Sequence, residues 1–348
     1  MKKKLALTLL ILLLLTIFLS ACGDDDTASD DKNLVIYSNS LVDGRGDWLE
    51  EKAKEEGFDL DLVQVGGGEL PSRLSAEKNN PVADIVFGLN TMGFENLKKQ
   101  NTLEKYKPSW AGDIQEGLND EEEYYHSLVK QAILLIYNKE EYDEDSAPQD
   151  WPDLWENEEF HNKYYLFPDL NGGTTRAVMS GILVRYKDED GELGISDEGW
   201  EAIDKYYNNG YIASEGEEFY ALLAEGKTPF GQMWSSGLAT REEQYGVESG
   251  FAKPEVGVPY VVEQIGIVKG TENMDAAKEF VDWFGSAEVQ GEFAEKFYAL
   301  PANEKAMDKA PDYIKKIDEA VKPQDIDWGF VSENIEKWVE KVELEIMP

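Results

Sequence analysis

From Asn33 onward the chain alternates between two hydrophobic periods. Leu34-Val35-Ile36-Tyr37 is a short β-branched run. Residues 43–56 carry a helical period that stops at Gly57, and Leu60-Asp61-Leu62-Val63-Gln64-Val65 alternates as a strand. A helix over 69–78, a buried strand over 83–87 and a helix over 92–99 continue the series.

A second series follows. Residues 127–137 are strongly apolar, 164–167 read as a short strand and 174–186 as a helix. Helices over 197–208 and 217–225 lead to a strand at 229–233 and an extended stretch at 258–268. Three more helices are predicted over 274–284, 288–297 and 313–321. No repeat of solenoid length is present. Alternation of this kind predicts an α/β fold whose sheets are doubly wound, mostly parallel and flanked by helices. At 348 residues the chain is long enough for two lobes.

The first thirty residues follow neither period. Lys2, Lys3 and Lys4 precede an apolar run from Leu5 to Phe18, and Leu19-Ser20-Ala21-Cys22 follows. This order resembles a bacterial lipoprotein export signal, 1–21, in which Cys22 takes a diacylglyceryl thioether and becomes the N-terminus. An uncleaved membrane anchor and a plain secretory peptide are the other readings. Residues 22–32 are polar and acidic and read as a solvated tether. A location outside the cytoplasm, anchored to the cell membrane by lipid, is expected.

Charge narrows the partners. With 33 Lys+Arg against 71 Asp+Glu, the formal charge is -38 and nucleic acid is excluded as a partner. Losing the export signal removes three more lysines. The 42% hydrophobic content and nine Trp suffice for a packed core.

In an open α/β sheet, ligands sit beyond the carboxyl ends of the strands. Five junctions there are rich in Gly, Ser, Thr and Asn: 38–40, 66–68, 88–91, 171–175 and 234–237. Each presents free backbone N–H groups. Of five arginines, Arg45, Arg73, Arg176 and Arg241 lie near these loops, while Arg185 falls within a predicted helix. Arg beside helix N-termini suits bidentate capture of a carboxylate, phosphate or phosphonate. The candidate ligand residues are Ser38, Asn39, Gly68, Asn90, Thr174, Thr175, Arg176, Ser235 and Ser236. Trp234 and Tyr260 could stack on a ligand, and Glu263 could accept hydrogen bonds from it. Turn and cap formation accounts for any one of these loops taken alone.

Catalytic patterns are absent. Two His leave little for a Ser-His-Asp arrangement, and no Gly-x-Ser-x-Gly elbow occurs. Gly226-Lys227-Thr228 has Ala221 where a Walker loop needs Gly, and Pro71 stands where a dinucleotide fingerprint needs its third Gly. Asp188-Glu189-Asp190-Gly191 lacks the end ligands of a calcium loop and reads as a solvated acidic turn. No cofactor, resident metal or catalytic residue is expected.

With an export signal, an acidic tether and two α/β lobes, the chain resembles an extracellular solute-binding protein of a bacterial ABC importer. The resemblance covers 33–320 and extends to the ferric, phosphonate, thiamine and sugar-phosphate binders. The matching segments are Asn33-Leu34-Val35-Ile36-Tyr37-Ser38, Gly67-Gly68-Glu69-Leu70-Pro71-Ser72-Arg73-Leu74, Ala83-Asp84-Ile85-Val86-Phe87-Gly88, Trp151-Pro152-Asp153-Leu154 and Tyr298-Ala299-Leu300-Pro301-Ala302-Asn303.

The resemblance implies a type II periplasmic-binding-protein fold, with 33–130 and 262–348 as lobe 1 and 131–261 as lobe 2. It also implies hinge strands near 128–137 and 257–268, a membrane permease as partner and a monomeric receptor. The expected function is capture of a small polar, anionic solute such as a phosphonate or sugar phosphate. Ferric-binding relatives carry a Tyr pair and a His where this chain has Trp234-Ser235-Ser236-Gly237 and Ser40-Leu41, which argues against that iron set. A tethered hydrolase using a carboxylate pair, a ferric-chelate binder and an Arg45-Gly46-Asp47 adhesin are the competing readings.

Overall fold

The structure, a computed structural model, describes residues 32–115, 117–214 and 216–347. The export signal, Cys22 and the tether lie outside the described residues, Lys32 excepted. Among the described residues no helix is long and apolar enough to cross a membrane.

The first half runs β1 (Lys32–Ser38), α1 (Arg45–Glu55), β2 (Phe58–Gln64), α2 (Leu70–Glu77), β3 (Ile85–Phe87), α3 (Thr91–Lys99) and β4 (Leu103–Glu104). The long strand β5 (His126–Asn138) leads to α4 (Asp153–Glu156), β6 (Tyr165–Leu166), α5 (Gly173–Leu183) and β7 (Lys187–Glu192). Next come α6 (Asp197–Asn209), β8 (Tyr211–Ile212), α7 (Phe219–Ala224), β9 (Phe230–Trp234), α8 (Ser235–Tyr245) and β10 (Ser249–Phe251). The chain then returns through β11 (Tyr260–Val268), α9 (Met274–Phe284), α10 (Ala287–Phe297), β12 (Leu300–Pro301), α11 (Asp312–Ala320) and α12 (Trp328–Lys341).

The main sheet has the order β10-β5-β11-β3-β1-β2, with β12 and β9 on β5 and β4 on β11. β1 and β3 pair parallel, as do β6 and β8, whereas β5 and β11 pair antiparallel to each other. β11 is also antiparallel to β3, and β5 to β9 and β10. The parallel βαβ character is therefore interrupted where the two long strands pass through.

β5 shows how one strand serves several cores. Side chains alternate across a strand, and Leu128 and Val129 pack in the core that holds Leu34, Ile36, Ile85 and Phe280. Further along, Ile133, Leu135 and Tyr137 enter a core with Trp151, Tyr206 and Phe230, while Ala132, Leu134 and Ile136 face another with Phe219 and Leu238. At 13 residues, roughly 43 Å of extended chain, β5 spans both lobes. β11 does the same, with Tyr260 in the second pair of cores and Ile265 and Ile267 in the first. A further core around Tyr37, Leu74, Val86 and Phe94 covers the other face of β1 and β3.

Several elements differ from the sequence pattern. α7 begins at Phe219, two residues after the expected start, because the Glu217 carboxylate is held in a turn by Ser214 N–H, Tyr211 and Lys227. α5 ends at Leu183 and tightens into a 3₁₀ turn over Val184–Tyr186. Arg185 thus sits at a helix end, its fork on Asp150 at 2.7 and 2.9 Å. The acidic stretch at 188–191 is part of β7, and the turn falls at Leu193 and Gly194, both at positive φ.

α12 has no counterpart among the expected helices. Val331, Ile335, Trp338 and Val339 are buried in the core with Trp151 and Tyr206. Residues grouped with lobe 1 on sequence alone therefore place their apolar stripe in the second pair of cores, as Ile314 and Ile317 of α11 do.

Candidate functional site

β1 and β3 are in register from Ile36↔Ile85 to Ser38↔Phe87, and Val65 after β2 donates to the Ser38 carbonyl at 2.8 Å. Three strand ends lie side by side, so loops 38–40, 66–68 and 88–90 share one edge. The latter two lead into α2 and α3, whose first N–H groups have no partner inside the helix. Asn90 caps α3, its Oδ1 accepting from Gly93 N–H at 3.0 Å. Pro71 in the first turn of α2 omits a donor that the helix could not have used.

Gly88 sets how closely these loops approach. Its φ is 96°, and an added β-carbon would stand 2.7 Å from Ser40 Cβ and 2.8 Å from Asn39 Oδ1. On the other side, a β-carbon at Gly67 would meet Asn39 Nδ2 at 3.1 Å. Asn39 is thus held between two glycines, with a buried Oδ1 that has no hydrogen-bond partner. A buried acceptor in that position favours a ligand that donates.

A cavity of ≈ 800 Å³ lies against these loops. Asn39, Gly67, Gly68 and Asn90 line it from the first lobe, and Asn171, Gly172, Gly173 and Arg176 from the second, with Val261 of β11 between. Glu69 and Asp169 add carboxylates. α12 contributes Ser332, Ile335 and Glu336, and the Glu336 carboxylate sits on the Arg176 fork at 2.5 and 3.0 Å.

Beside the cavity a polar network occupies the same face of β11, since Glu263 and Val261 are two residues apart. Glu263 accepts from Ser40 Oγ at 2.7 Å, Gln131 Nε2 at 3.1 Å and Arg45 Nη1 at 3.4 Å. Arg45 also donates to Ser40 Oγ at 2.9 Å and Ser236 Oγ at 3.3 Å, and its guanidinium lies 5.4 Å from the Phe293 ring centre. Ser236 N–H and Ser235 Oγ both reach Gln131 Oε1. First lobe, the long strands β5 and β11 and the N-terminus of α8 are tied together here.

Of the sequence-selected residues, Asn39, Gly68, Asn90 and Arg176 line the cavity, and Ser235, Ser236 and Glu263 belong to the adjoining network. Ser38 accepts from Ser40 N–H and shapes its own loop. Thr175 is buried and accepts from Gln232. Thr174, in the first turn of α5, is not among the lining residues, and Trp234 is half-buried against two cores. Tyr260 faces the opposite side of β11, lines a smaller cavity of ≈ 400 Å³ and donates to Asp318 at 2.7 Å. Burial, then the Asp318 carboxylate, pushes its phenol well above the usual range.

The other arginines are engaged within the fold. Arg73 donates to Tyr37 Oη at 2.8 Å and to Glu77 at 3.2 Å, and Arg241 reaches Gln244 on the surface. Of the five, Arg176 alone lines the cavity. Among the lining residues the sequence reading passed over are Glu69, Ser72, Met92, Asn96, Asp169, Val261 and those of α12. Trp328, Val331, Ile335, Trp338, Val339 and Val342 have helical spacing, and Asp327 caps the helix by accepting from Phe330 N–H, so that pattern was available. Among the described residues no group of three or more His, Cys, Asp or Glu is placed to hold a metal ion.

A family model described as bacterial extracellular solute-binding protein matches residues 48–322. A Sinorhizobium fredii protein provisionally named an ABC transporter periplasmic-binding protein is 35% identical over 313 residues, 90% of this chain and 86% of that protein. A Salmonella typhimurium protein provisionally named a 2-aminoethylphosphonate-binding periplasmic protein is 25% identical over 284 residues, 77% of this chain and 78% of that protein. Among solved structures, a ferric binding protein from Campylobacter jejuni aligns with a TM-score of 0.76 at 19% identity, covering 89% of this chain and 98% of that one. The periplasmic binding protein P5PA aligns with a TM-score of 0.71 at 24% identity, covering 90% and 99%. At these identities the two structures speak to fold, the two-lobed type II arrangement described above.

Proposed function

The chain belongs to the bacterial extracellular solute-binding proteins, and from that premise we propose that it is the receptor of an ABC importer, tethered through lipid on Cys22, for a small anion-bearing solute. The solute sits in the cleft between the lobes and is handed unchanged to a membrane permease. One observation carries this reading: the first turns of α2, α3 and α5 and the Arg176 fork converge on a single cavity. Helix N-termini and a guanidinium together suit phosphonate or phosphate oxygens.

The rest of the lining favours a second, hydrogen-bond-donating end on the same solute. Asn39 Oδ1 is an unpaired acceptor, and Glu69 and Asp169 bring negative charge. An aminoalkylphosphonate or a sugar phosphate has both ends. The similarity to a protein named for 2-aminoethylphosphonate points the same way. The cavity is within the roughly 300–1,000 Å³ usual for small-molecule sites. Closure of the lobes on the solute is what a permease would read.

The test is a calorimetric and thermal-shift panel of 2-aminoethylphosphonate, methylphosphonate, fructose 6-phosphate, ethanolamine and ferric citrate. A solute with both ends should bind tightest and raise the melting midpoint, with ligand at a hundred times Kd stabilising by about 2.7 kcal/mol. Arg176→Gln and Asn39→Ala should each weaken it, and the solute should be recovered chemically intact. Binding of ferric citrate alone, turnover of the solute, or no binder at millimolar concentration would overturn the reading.

A further inference from the structure

Arg176, the one guanidinium facing the cavity, is already holding a carboxylate. Glu336 Oε1 and Oε2 lie 2.5 and 3.0 Å from its two Nη atoms, and Asn171 Oδ1 takes a further bond at 2.7 Å. The two partners differ in exposure. The Arg176 side chain is 13% exposed and fixed at the start of α5, whereas that of Glu336 is 74% exposed.

The helix that carries Glu336 is anchored along its buried face and near both ends. Val331, Ile335, Trp338 and Val339 are buried in the second-lobe core, and the Trp338 indole donates to the Leu193 carbonyl at 3.1 Å. Asp327 and Lys341, near its two ends, pair with Lys187 and Glu192. Glu336 can therefore leave Arg176 by turning its own side-chain torsions, with no movement of α12. With one partner so exposed, water screens the pair, so a competing anion can displace it.

We infer that Glu336 is a tethered competitor: its carboxylate holds the Arg176 fork, and a solute's anionic group must displace it to bind there. This rests on the anion-binding reading of the cleft and adds an affinity-setting residue to it. Because the competitor is attached to the protein, its effective concentration does not depend on how much protein is present. The competition lowers the affinity of every anion that uses Arg176 by one common factor. Monocarboxylates, chemically equivalent to Glu336 and weak to begin with, are weakened further. A phosphonate or phosphate, with up to two charges and three acceptor oxygens, keeps usable affinity through the adjoining N–H groups.

The test compares wild type with Glu336→Gln, an exposed substitution that leaves the buried stripe of α12 untouched, and with Glu336→Asp, which keeps the charge one methylene further back. Titrations use methylphosphonate, inorganic phosphate, acetate and ethanolamine. Nitrogen-15 spectra of the guanidinium groups report the Arg176 fork directly without ligand, since the chain has only five arginines.

The expected result is a changed Arg176 signal in Glu336→Gln and tighter binding of all three anions by one factor, roughly 1.5- to 5-fold. Ethanolamine should not tighten. Anion binding should become more sensitive to salt in Glu336→Gln, because no ion pair is exchanged for the new one. Identical Arg176 signals in wild type and Glu336→Gln would overturn the inference whatever binds. So would changed signals without tighter anion binding. The solute-receptor reading is judged separately, on what wild type binds.

Discussion

At the scale of single residues, the site depends on what is missing as much as on what is present. Gly88 has a left-handed φ and no room for a methyl group beside Ser40 and Asn39. A Gly88→Ala substitution should combine backbone strain, about 1–3 kcal/mol, with displacement of the 38–40 loop. We expect a lower urea midpoint and weakened solute binding together. A lowered midpoint with unchanged affinity would mean that Asn39 keeps its position without the glycine. The Ser38-Asn39-Ser40 loop was legible as a strand end in the sequence. The roles within it were not, because Ser38 and Ser40 differ only in which neighbours the fold supplies: Ser40 N–H for one, Glu263 and Arg45 for the other.

At the scale of elements, periodicity located most helices and strands, since burial on one face writes itself into the chain. It was silent about where a long strand changes partners. β5 starts at His126, whose Nε2 lies 2.7 Å from the Tyr106 carbonyl while Nδ1 is buried without a partner. Its ring packs edge-on to Trp110. The imidazole is therefore neutral with the proton on Nε2, and burial lowers its pKa below the ordinary value despite the nearby Asp120 and Glu123. Below about pH 6.5 the unfolded chain takes up a proton that the folded one refuses, so stability falls as pH drops through that value. His126→Gln, which can still donate to Tyr106, should flatten the melting midpoint between pH 5 and 7. An unchanged slope would remove His126 as its source.

For the molecule as a whole, the Arg45–Glu263 network joins the first lobe, β5, β11 and α8. The two side chains are 11% and 13% exposed. Removing one partner of a fully buried pair costs about 3–5 kcal/mol, and some solvent access makes the figure here smaller. Glu263→Gln keeps the shape and removes the charge, leaving Arg45 without its acid beside Ser236. We expect lower stability and a wider spread of lobe separations in solution scattering, with the solute restoring the closed distribution. Scattering identical to wild type would show that the network is incidental to closure.

What the sequence determined by itself is what depends on local period and residue type: an α/β chain, loops of glycine and hydroxyl residues at strand ends, and arginines kept close to them. Which arginine faces the cavity was decided only by tertiary structure, because a guanidinium binds whichever carboxylate the fold brings within reach. Arg45, Arg73 and Arg185 met Glu263, Glu77 and Asp150, while Arg176 met Glu336 from a helix 160 residues further on. Pairings at that separation leave no trace in spacing, since the chain between them is long enough to permit many others.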